Sequence, residues 1–439
     1  MKSEGWKMWK IYLKQIRYLL KENKFFSVVY IVGTALSIIM VMLILIIYHL
    51  QTANLGVENK RDRMLYITRG YQLYKDGDGM SSYNLDAKMV EDYFYHLKTP
   101  EAVSMVGKAT DVVYNEREKL YKNIISTYTD AGYWKLFSFR FLSGQGFSNV
   151  DVEGKVRKIV IDESTARSLF GATDVIGRIL LLNGKDYQVC GVVEDVPSYL
   201  TEAYSHVWYP YTTTDQDIWK WGKKEVVLGP MCFYILQRST ADREKITQEL
   251  QHQVAEMNRP NKKSYFSLKD QPYTAWEGSF KGGNDSDRKE IQKKMTSTCI
   301  LLLLLLLVPA LNLSGLIVSR MKKRGDEIGI RKAFGASTSH LVGQMFLENL
   351  VQMLIGGVLG IIGAYGIFQW LRAELLPRDF MISYAQTSTT DSYVEFWHVI
   401  SPITIVYVVL ICFLLNLIST LLPAWRYARM PIVEALNRK

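Results

Sequence analysis

The residue types that carry most enzyme chemistry are present in this chain, but their spacing forms no recognisable reactive site. None of the Gly-Lys pairs, Gly107-Lys108 and Gly184-Lys185 among them, is followed by the Ser or Thr of a phosphate-binding loop. The sequence has no Gly-x-Ser-x-Gly motif, and its 6 histidines are scattered without metal-ligand spacing. We therefore predict no catalytic residue, no cofactor site, no metal site and no enzymatic activity on this chain.

The most distinctive charged segment is the stretch Glu327–Ser337. An acidic start followed one turn later by Arg331 and Lys332 complements the dipole of a short helix, and Gly335 can end it. Such a short helix could contact another protein. On the residues alone, an ordinary basic loop beside a membrane is an equally good interpretation.

The chain contains four long apolar runs, two before this segment and two after it. They cover residues 25–48, 297–319, 341–371 and 399–422. A bilayer core about 30 Å thick requires about 20 apolar residues of helix, and each run reaches that length. The sequence therefore predicts an integral membrane protein with four transmembrane helices. Residues 1–24 combine apolar and basic stripes and are predicted to form an amphipathic helix on the lipid surface.

The distribution of charge predicts the orientation of these helices. Lys and Arg exceed Asp and Glu in residues 1–24, 320–340 and 423–439, whereas 49–296 is nearly neutral and 372–398 is acidic. Because basic loops stay on the cytoplasmic side, both termini and the 320–340 loop are predicted to be cytoplasmic. The net charge of +10 follows from this topology, so it does not indicate nucleic-acid binding.

The outer segment 49–296 alternates strand-like and helix-like stretches, which is typical of an α+β domain. The predicted strands are Met64–Thr68, Val103–Val113, Leu120–Tyr128, Ile159–Ile161, Ile179–Leu182, Tyr187–Val193, Cys232–Gln237 and Tyr265–Lys269. The predicted helices are Asp86–Leu97, Ser164–Phe170 and Ala241–Met257. The Asn183-Gly184 pair predicts a tight hairpin between two of these strands.

The same segment is predicted to have two lobes. A strand-rich lobe, 126–222, is predicted to be inserted into an outer lobe made of 60–125 and 223–278. Cys190 and Cys232 lie in this domain, and their apolar surroundings favour buried free thiols over a disulfide, although pairing stays open.

Several separated motifs resemble one family, the MacB/FtsX-like permeases of ABC transporters. They are Val160–Gly177, Leu182–Pro197, Ala310–Leu313, Glu327–Ser337 and Pro423–Leu436. The resemblance implies one span, a two-lobed periplasmic core domain and three further spans in the bacterial inner membrane. It also implies a dimer, with a second copy or a related permease, driven by a cytoplasmic ABC ATPase that binds ATP and magnesium.

The family resemblance turns particular residues into candidates for two roles. The predicted ATPase-coupling interface consists of Glu327, Ile328, Arg331, Lys332, Phe334, Gly335 and Ser337. The predicted transmembrane packing residues are Asn312, Glu348, Gly356, Gly360 and Ala364. For Glu348, a polar contact with Asn312 or Asn416 is favoured over a proton relay, because an isolated membrane carboxylate is costly.

Three functions remain open on the sequence. A permease subunit that exports or extracts a periplasmic peptide, drug or lipoprotein is favoured, because the outer domain is large. Such a permease could work with a periplasmic adaptor and an outer-membrane duct. The alternatives are an FtsX-like signalling subunit that regulates extracytoplasmic enzymes and a sensor that works without ATP.

Overall fold

A computed structural model describes most of the outer segment and parts of the helical regions. The residues described are 24–74, 79–116, 119–214, 228–260, 263–281, 288–304, 330, 334–335, 337–375, 402, 405–411 and 413–414. The chain divides into two compact units. The helical unit comprises Met1–Ile47, Thr296–Leu375 and Glu395–Lys439, and the α+β unit comprises Tyr48–Met295 and Leu376–Val394.

Two helices dominate the described part of the helical unit, α1 at Lys24–Thr52 and a later one, α8, at Thr338–Leu375. At 1.5 Å per residue, α1 is about 43 Å long, more than the thickness of a bilayer core. By length and composition, both helices are capable of crossing a membrane, with the apolar parts at Ser27–Thr52 and Asn349–Leu371.

The remaining membrane predictions lie largely outside the described residues. Of the second and fourth apolar runs, only residues 297–304 and 402, 405–411 and 413–414 are described, and they are helical. Residues 1–23 of the predicted surface helix, most of the 372–398 loop and the tail 423–439 are not described. The number of four spans therefore stays a prediction.

The α+β unit contains thirteen described strands in two sheets. They are β1 Met64–Ile67, β2 Gly70–Tyr74, β3 Met80–Tyr83, β4 Ala102–Asn115, β5 Leu120–Thr129, β6 Phe141–Gly144, β7 Lys158–Asp162, β8 Ile179–Leu182, β9 Lys185–Val193, β10 Val207–Pro210, β11 Cys232–Leu236, β12 Ser264–Ser267 and β13 Tyr273–Thr274. The large sheet has the order β13-β1-β11-β4-β5-β10-β7-β9-β6, with β8 pairing β4 and β9. The small sheet has the order β12-β2-β3.

Helices of this unit pack beside the sheets. They are α2 Ala87–Tyr93, α3 Tyr133–Leu136, α4 Asn149–Glu153, α5 Glu163–Phe170, α6 Arg243–Asn258 and α7 Ala275–Ser279. Local signals set their ends: Asp162 caps the start of α5, and Gly171, with φ 75°, ends it in the left-handed conformation. The mixture confirms the predicted α+β class.

The predicted hairpin is confirmed. Asn183 and Gly184 both have positive φ, 48° and 74°, as a two-residue type I′ turn between β8 and β9 requires. The small sheet was not predicted, because β2 and β3 are short and carry Gly, Ser and Tyr without a clear apolar alternation.

Hydrogen bonds join strands from both predicted lobes into the one large sheet. β8 of the predicted inserted lobe meets β4 of the predicted outer lobe through Val113 and Leu182. The core lies around the central strands, where Trp208 and Ile159–Ile161 are fully buried. The lobe boundaries themselves stay a prediction.

Both described cysteines of this unit are free thiols. The Cys190 sulfur lies 3.4 Å from the Ile159 carbonyl oxygen, and the Cys232 sulfur accepts a hydrogen bond from the Asn84 amide at 3.5 Å. Burial raises the pKa of the Cys190 thiol to about 12, which leaves it protonated and unreactive at neutral pH.

Candidate functional site

The predicted coupling segment is described only at its C-terminal end. Glu327, Ile328, Arg331 and Lys332 lie outside the described residues. The Phe334 backbone N–H donates to the Ile330 carbonyl at 3.1 Å, and the Phe334 side chain is 88% exposed. Gly335 follows with φ 90°, a conformation that glycine adopts readily, and exposed Ser337 precedes α8. An exposed aromatic at a sharp turn is thus available to a partner.

In the helical unit, small residues of α8 lie directly against α1. A Cβ added to Gly356 would lie 2.9 Å from the Ile31 carbonyl oxygen, and one added to Gly360 would lie 2.8 Å from Ile38 Cβ. Ala364, one further turn along α8, is fully buried. The two backbones can approach this closely only because these α8 positions carry little or no side chain.

Polar contacts accompany this packing. The Gln352 side-chain amide donates to Ser27 Oγ at 3.5 Å, and the Tyr30 hydroxyl donates to the Asn349 carbonyl at the same distance. The Glu348 side chain, Asn312 and Asn416 lie outside what the structure describes, so the predicted Glu348 contact stays a prediction.

In the α+β unit, the last turn of α1 meets an aromatic cluster, which we call the aromatic joint: Tyr48, Tyr273, Trp276, Phe280 and Ile291. The Tyr48 ring stacks on Phe280 at 4.8 Å between centroids and lies 5.8 Å from Trp276. Phe280 and Ile291 are buried in the same cluster. Because Ile291 belongs to the helical residues 288–304, the joint brings together the chain's exit from α1 and the start of that helix.

Two contacts hold α7 at the joint. Thr274 caps the helix in a reciprocal capping box with Glu277. The Glu277 carboxylate also accepts a hydrogen bond from Arg243 of α6 at 2.6 Å. Trp276 and Phe280 are therefore presented from a short helix that is anchored at both its start and its side.

A buried ion pair lies between the last turn of α1 and the large sheet. Arg61 is 4% exposed and Glu58 is 1% exposed, and Arg61 Nε donates to Glu58 Oε2 at 2.6 Å. Arg61 Nη1 donates to the Leu50 carbonyl at 2.5 Å and to the Ala53 carbonyl at 3.3 Å. Leu50 lies in the last turn of α1, where carbonyls have no partner within the helix, and Ala53 follows its last residue.

The second Glu58 oxygen continues the contacts into the sheet. Glu58 Oε1 accepts hydrogen bonds from the Glu202 and Ala203 backbone N–H groups at 3.0 and 2.9 Å. The Glu202 carboxylate in turn accepts a hydrogen bond from the Tyr234 hydroxyl of β11. Burial raises the pKa of Tyr234 well above its usual value, so the phenol remains a donor at physiological pH.

Opposing effects act on the arginine of this pair. Burial lowers the pKa of Arg61, but the neighbouring Glu58 charge and its hydrogen bond outweigh it and raise that pKa. Arg61 therefore remains a guanidinium in the interior. Sequence reasoning missed this pair, since a Glu and an Arg three positions apart after an apolar run look like an ordinary surface pair.

Comparisons with known proteins agree with the two-part organisation. Residues 27–253 match the family described as MacB-like periplasmic core domain, and residues 299–432 match the FtsX-like permease C-terminal family. The first match alone covers more than half of the chain.

Curated relatives have the corresponding names. The macrolide export ATP-binding/permease protein MacB of Hahella chejuensis is 24% identical over 356 residues, 77% of this chain and 47% of that protein. The Burkholderia lata protein of the same name is 29% identical over 52% of this chain and 31% of its own length. The chain thus spans about half, or less, of the length of these curated relatives.

Among solved structures, the periplasmic region of MacB from Actinobacillus actinomycetemcomitans is 13% identical, with a TM-score of 0.31 over 46% of this chain and 88% of that one. This similarity is too low to support any detail of the fold. The family matches decide the assignment, and they cover the α+β unit and the later apolar runs in the expected order. This chain belongs to the MacB/FtsX-like family of ABC transporter permeases.

Proposed function

We propose that this chain is the membrane subunit that passes the ATP-driven motion of a separate cytoplasmic ATPase to its periplasmic α+β unit. Its family and its apolar helices support a permease. The family implies an ABC ATPase that works with the permease, and the proposal assigns ATP and magnesium to that subunit.

The observation that carries this proposal is the aromatic joint. In this joint, Tyr48 at the end of α1 and Ile291 of the helical residues 288–304 both pack in the cluster that contains Phe280. A displacement of either helix end is therefore applied to one compact set of side chains. Close packing transmits such a displacement, because tightly packed interiors are nearly incompressible.

The full proposal includes four spans in the inner membrane, with both termini and the 320–340 loop in the cytoplasm. Two permease chains, identical or related, form a dimer with the ATPases. The work done outside is the export or extraction of a peptide, a drug or a lipoprotein, with a periplasmic adaptor and an outer-membrane duct as further partners. The macrolide-export names of the relatives support export over signalling.

Charge reversal in the predicted coupling segment tests this proposal. The double variant Arg331→Glu with Lys332→Glu is expected to lose the ATPase on co-purification, or to lose its effect on ATP turnover in lipid, while inserting normally. The double variant Arg438→Glu with Lys439→Glu makes the same charge change in the tail and serves as the control. Wild-type assembly and turnover in the first variant would contradict the assignment of this segment.

A further inference from the structure

A continuous path of polar contacts connects the last turn of α1 with strand β11 of the large sheet. Arg61 donates to the carbonyl of Leu50 in the last turn of α1 and to that of Ala53 just after it, and Glu58 bonds Arg61 on one oxygen. On its other oxygen Glu58 bonds the backbone at Glu202 and Ala203. Glu202 then bonds Tyr234, whose strand β11 lies between β1 and β4.

We propose that the Glu58–Arg61 pair is a positioning link that passes movement of the α1 end to the large sheet through Glu202. The inference rests on the proposed function, since it names the residues by which force entering at the aromatic joint reaches the rest of the periplasmic unit. The segment around Glu202 lies far from α1 along the chain, so tertiary contacts, and not chain connectivity, relate the two.

The chemistry of the pair suits a rigid connection. The planar guanidinium donates through two of its nitrogens in fixed directions, so it holds a carboxylate and a helix end at once. Both side chains are almost fully excluded from water, so neither can exchange its partner for solvent without exposing a buried charge. Purely apolar contacts at this position would lack that directional constraint.

In the alternative, purely structural role, Arg61 only caps α1 and stabilises the α+β unit. The two roles differ in what they predict for amide hydrogen exchange. A cap alone affects exchange equally in every nucleotide state. A link also makes exchange near Glu202 depend on the state of the ATPase.

The experiment uses the complete complex in lipid nanodiscs, with its ATPase, in the presence of ADP or of ATP with magnesium and vanadate. Hydrogen exchange is followed in residues 48–53 and at the Glu202 and Ala203 amides. The test variant is Arg61→Lys, which keeps the buried positive charge but lacks the rigid planar fork that holds Glu58 and the Leu50 carbonyl in fixed directions. The matched control is Arg140→Lys, because the Arg140–Glu194 pair is exposed.

In the wild type and in Arg140→Lys, both regions are expected to differ between the nucleotide states. In Arg61→Lys, the difference is expected to persist in 48–53 and to be lost at Glu202 and Ala203. Retention of the difference at Glu202 in Arg61→Lys would overturn the link. So would a wild type in which 48–53 responds and Glu202 does not, and this second comparison decides the matter even where Arg61→Lys fails to fold.

The failure of the proposed function has a different signature. In that case neither region of the wild-type complex responds to the nucleotide state, and the link fails together with it. A response in 48–53 alone leaves the proposed function standing and removes only the link.

Discussion

At the scale of single residues, Asp162 combines a capping role with deep burial. Its carboxylate accepts hydrogen bonds from the Thr165 backbone N–H at 2.9 Å and from Ser164 Oγ at 3.2 Å, yet the residue is only 4% exposed. Burial raises its pKa to about 7, and the nearby Asp195 carboxylate adds to this effect. At neutral or higher pH the Asp162 carboxylate is charged, and its burial then lowers the stability of the folded state.

This shift predicts a pH dependence of stability. The pKa of Asp162 is higher in the folded chain than in the unfolded one, so its contribution is fully present below about pH 4 and is lost as the pH rises through about 7. Asp162→Asn keeps an acceptor oxygen and removes the titration. We expect the variant to gain stability relative to wild type between pH 5 and 8, by about 1.4 kcal/mol for each pH unit crossed below the folded pKa.

The measurement is the unfolding midpoint of the detergent-solubilised chain at several pH values. His206 titrates nearby with the opposite sign, because burial lowers its pKa, so the comparison is made variant against wild type at each pH. Glu163→Gln, at the half-buried neighbouring position, is the control. A difference between Asp162→Asn and wild type that does not change with pH would contradict the prediction.

The Glu58–Arg61 pair predicts a non-additive pair of substitutions. Arg61→Met leaves the Glu58 carboxylate buried without its cation, and we expect a loss of about 3–5 kcal/mol in the free energy of unfolding. The double variant Glu58→Met with Arg61→Met removes both charges and is expected to lose less. Denaturant unfolding of the two variants and of Glu58→Met tests this double-mutant cycle, and strictly additive losses would count against a coupled pair.

At the scale of elements, the contact between α1 and α8 depends on glycines of α8, which have no side chain. Gly356 and Gly360 face α1, whereas a Cβ at Gly366 would meet nothing within 4 Å among the residues that the structure describes. The same residue type thus has different consequences on different faces of one helix.

Leucine substitutions distinguish these faces. Gly360→Leu forces a side chain into Ile38 and is expected to destabilise the α1–α8 contact by about 1–3 kcal/mol. Gly366→Leu is expected to be neutral or slightly stabilising, because Leu has the higher helix propensity. The thermal unfolding midpoint in nanodiscs reports both, and equal effects of the two substitutions would contradict the close packing at Gly360.

At the scale of the whole molecule, the proposed mechanism requires the coupling segment and the α+β unit to lie on opposite sides of the membrane. Phe334 and Val150 are 88% and 76% exposed, so each is a suitable position for a labelled cysteine. In spheroplasts, an impermeant maleimide is expected to label Val150→Cys directly and Phe334→Cys only after permeabilisation. Labelling of both positions in intact spheroplasts would contradict the predicted topology and the proposed mechanism that depends on it.

The features that sequence reasoning predicted correctly depend on residues close together in the chain. Apolar runs of helical length identify α1 and α8 as candidate spans, since length and hydrophobicity are local properties. The Asn183-Gly184 turn follows from the conformational preferences of single residues. The α+β class and the family also follow from such patterns, whereas the coupling role of residues 327–337 remains a prediction.

The features that only the folded chain decided depend on contacts between distant segments. Nothing local indicates that Glu58 and Arg61 are buried, because the cover comes from the segment at Glu202, and the joint requires Tyr48 to meet Phe280. The order of the ten-stranded sheet, with β11 between β1 and β4, is of the same kind. Secondary structure is encoded by short-range preferences, but burial and strand partners are set by which remote surfaces exclude water together.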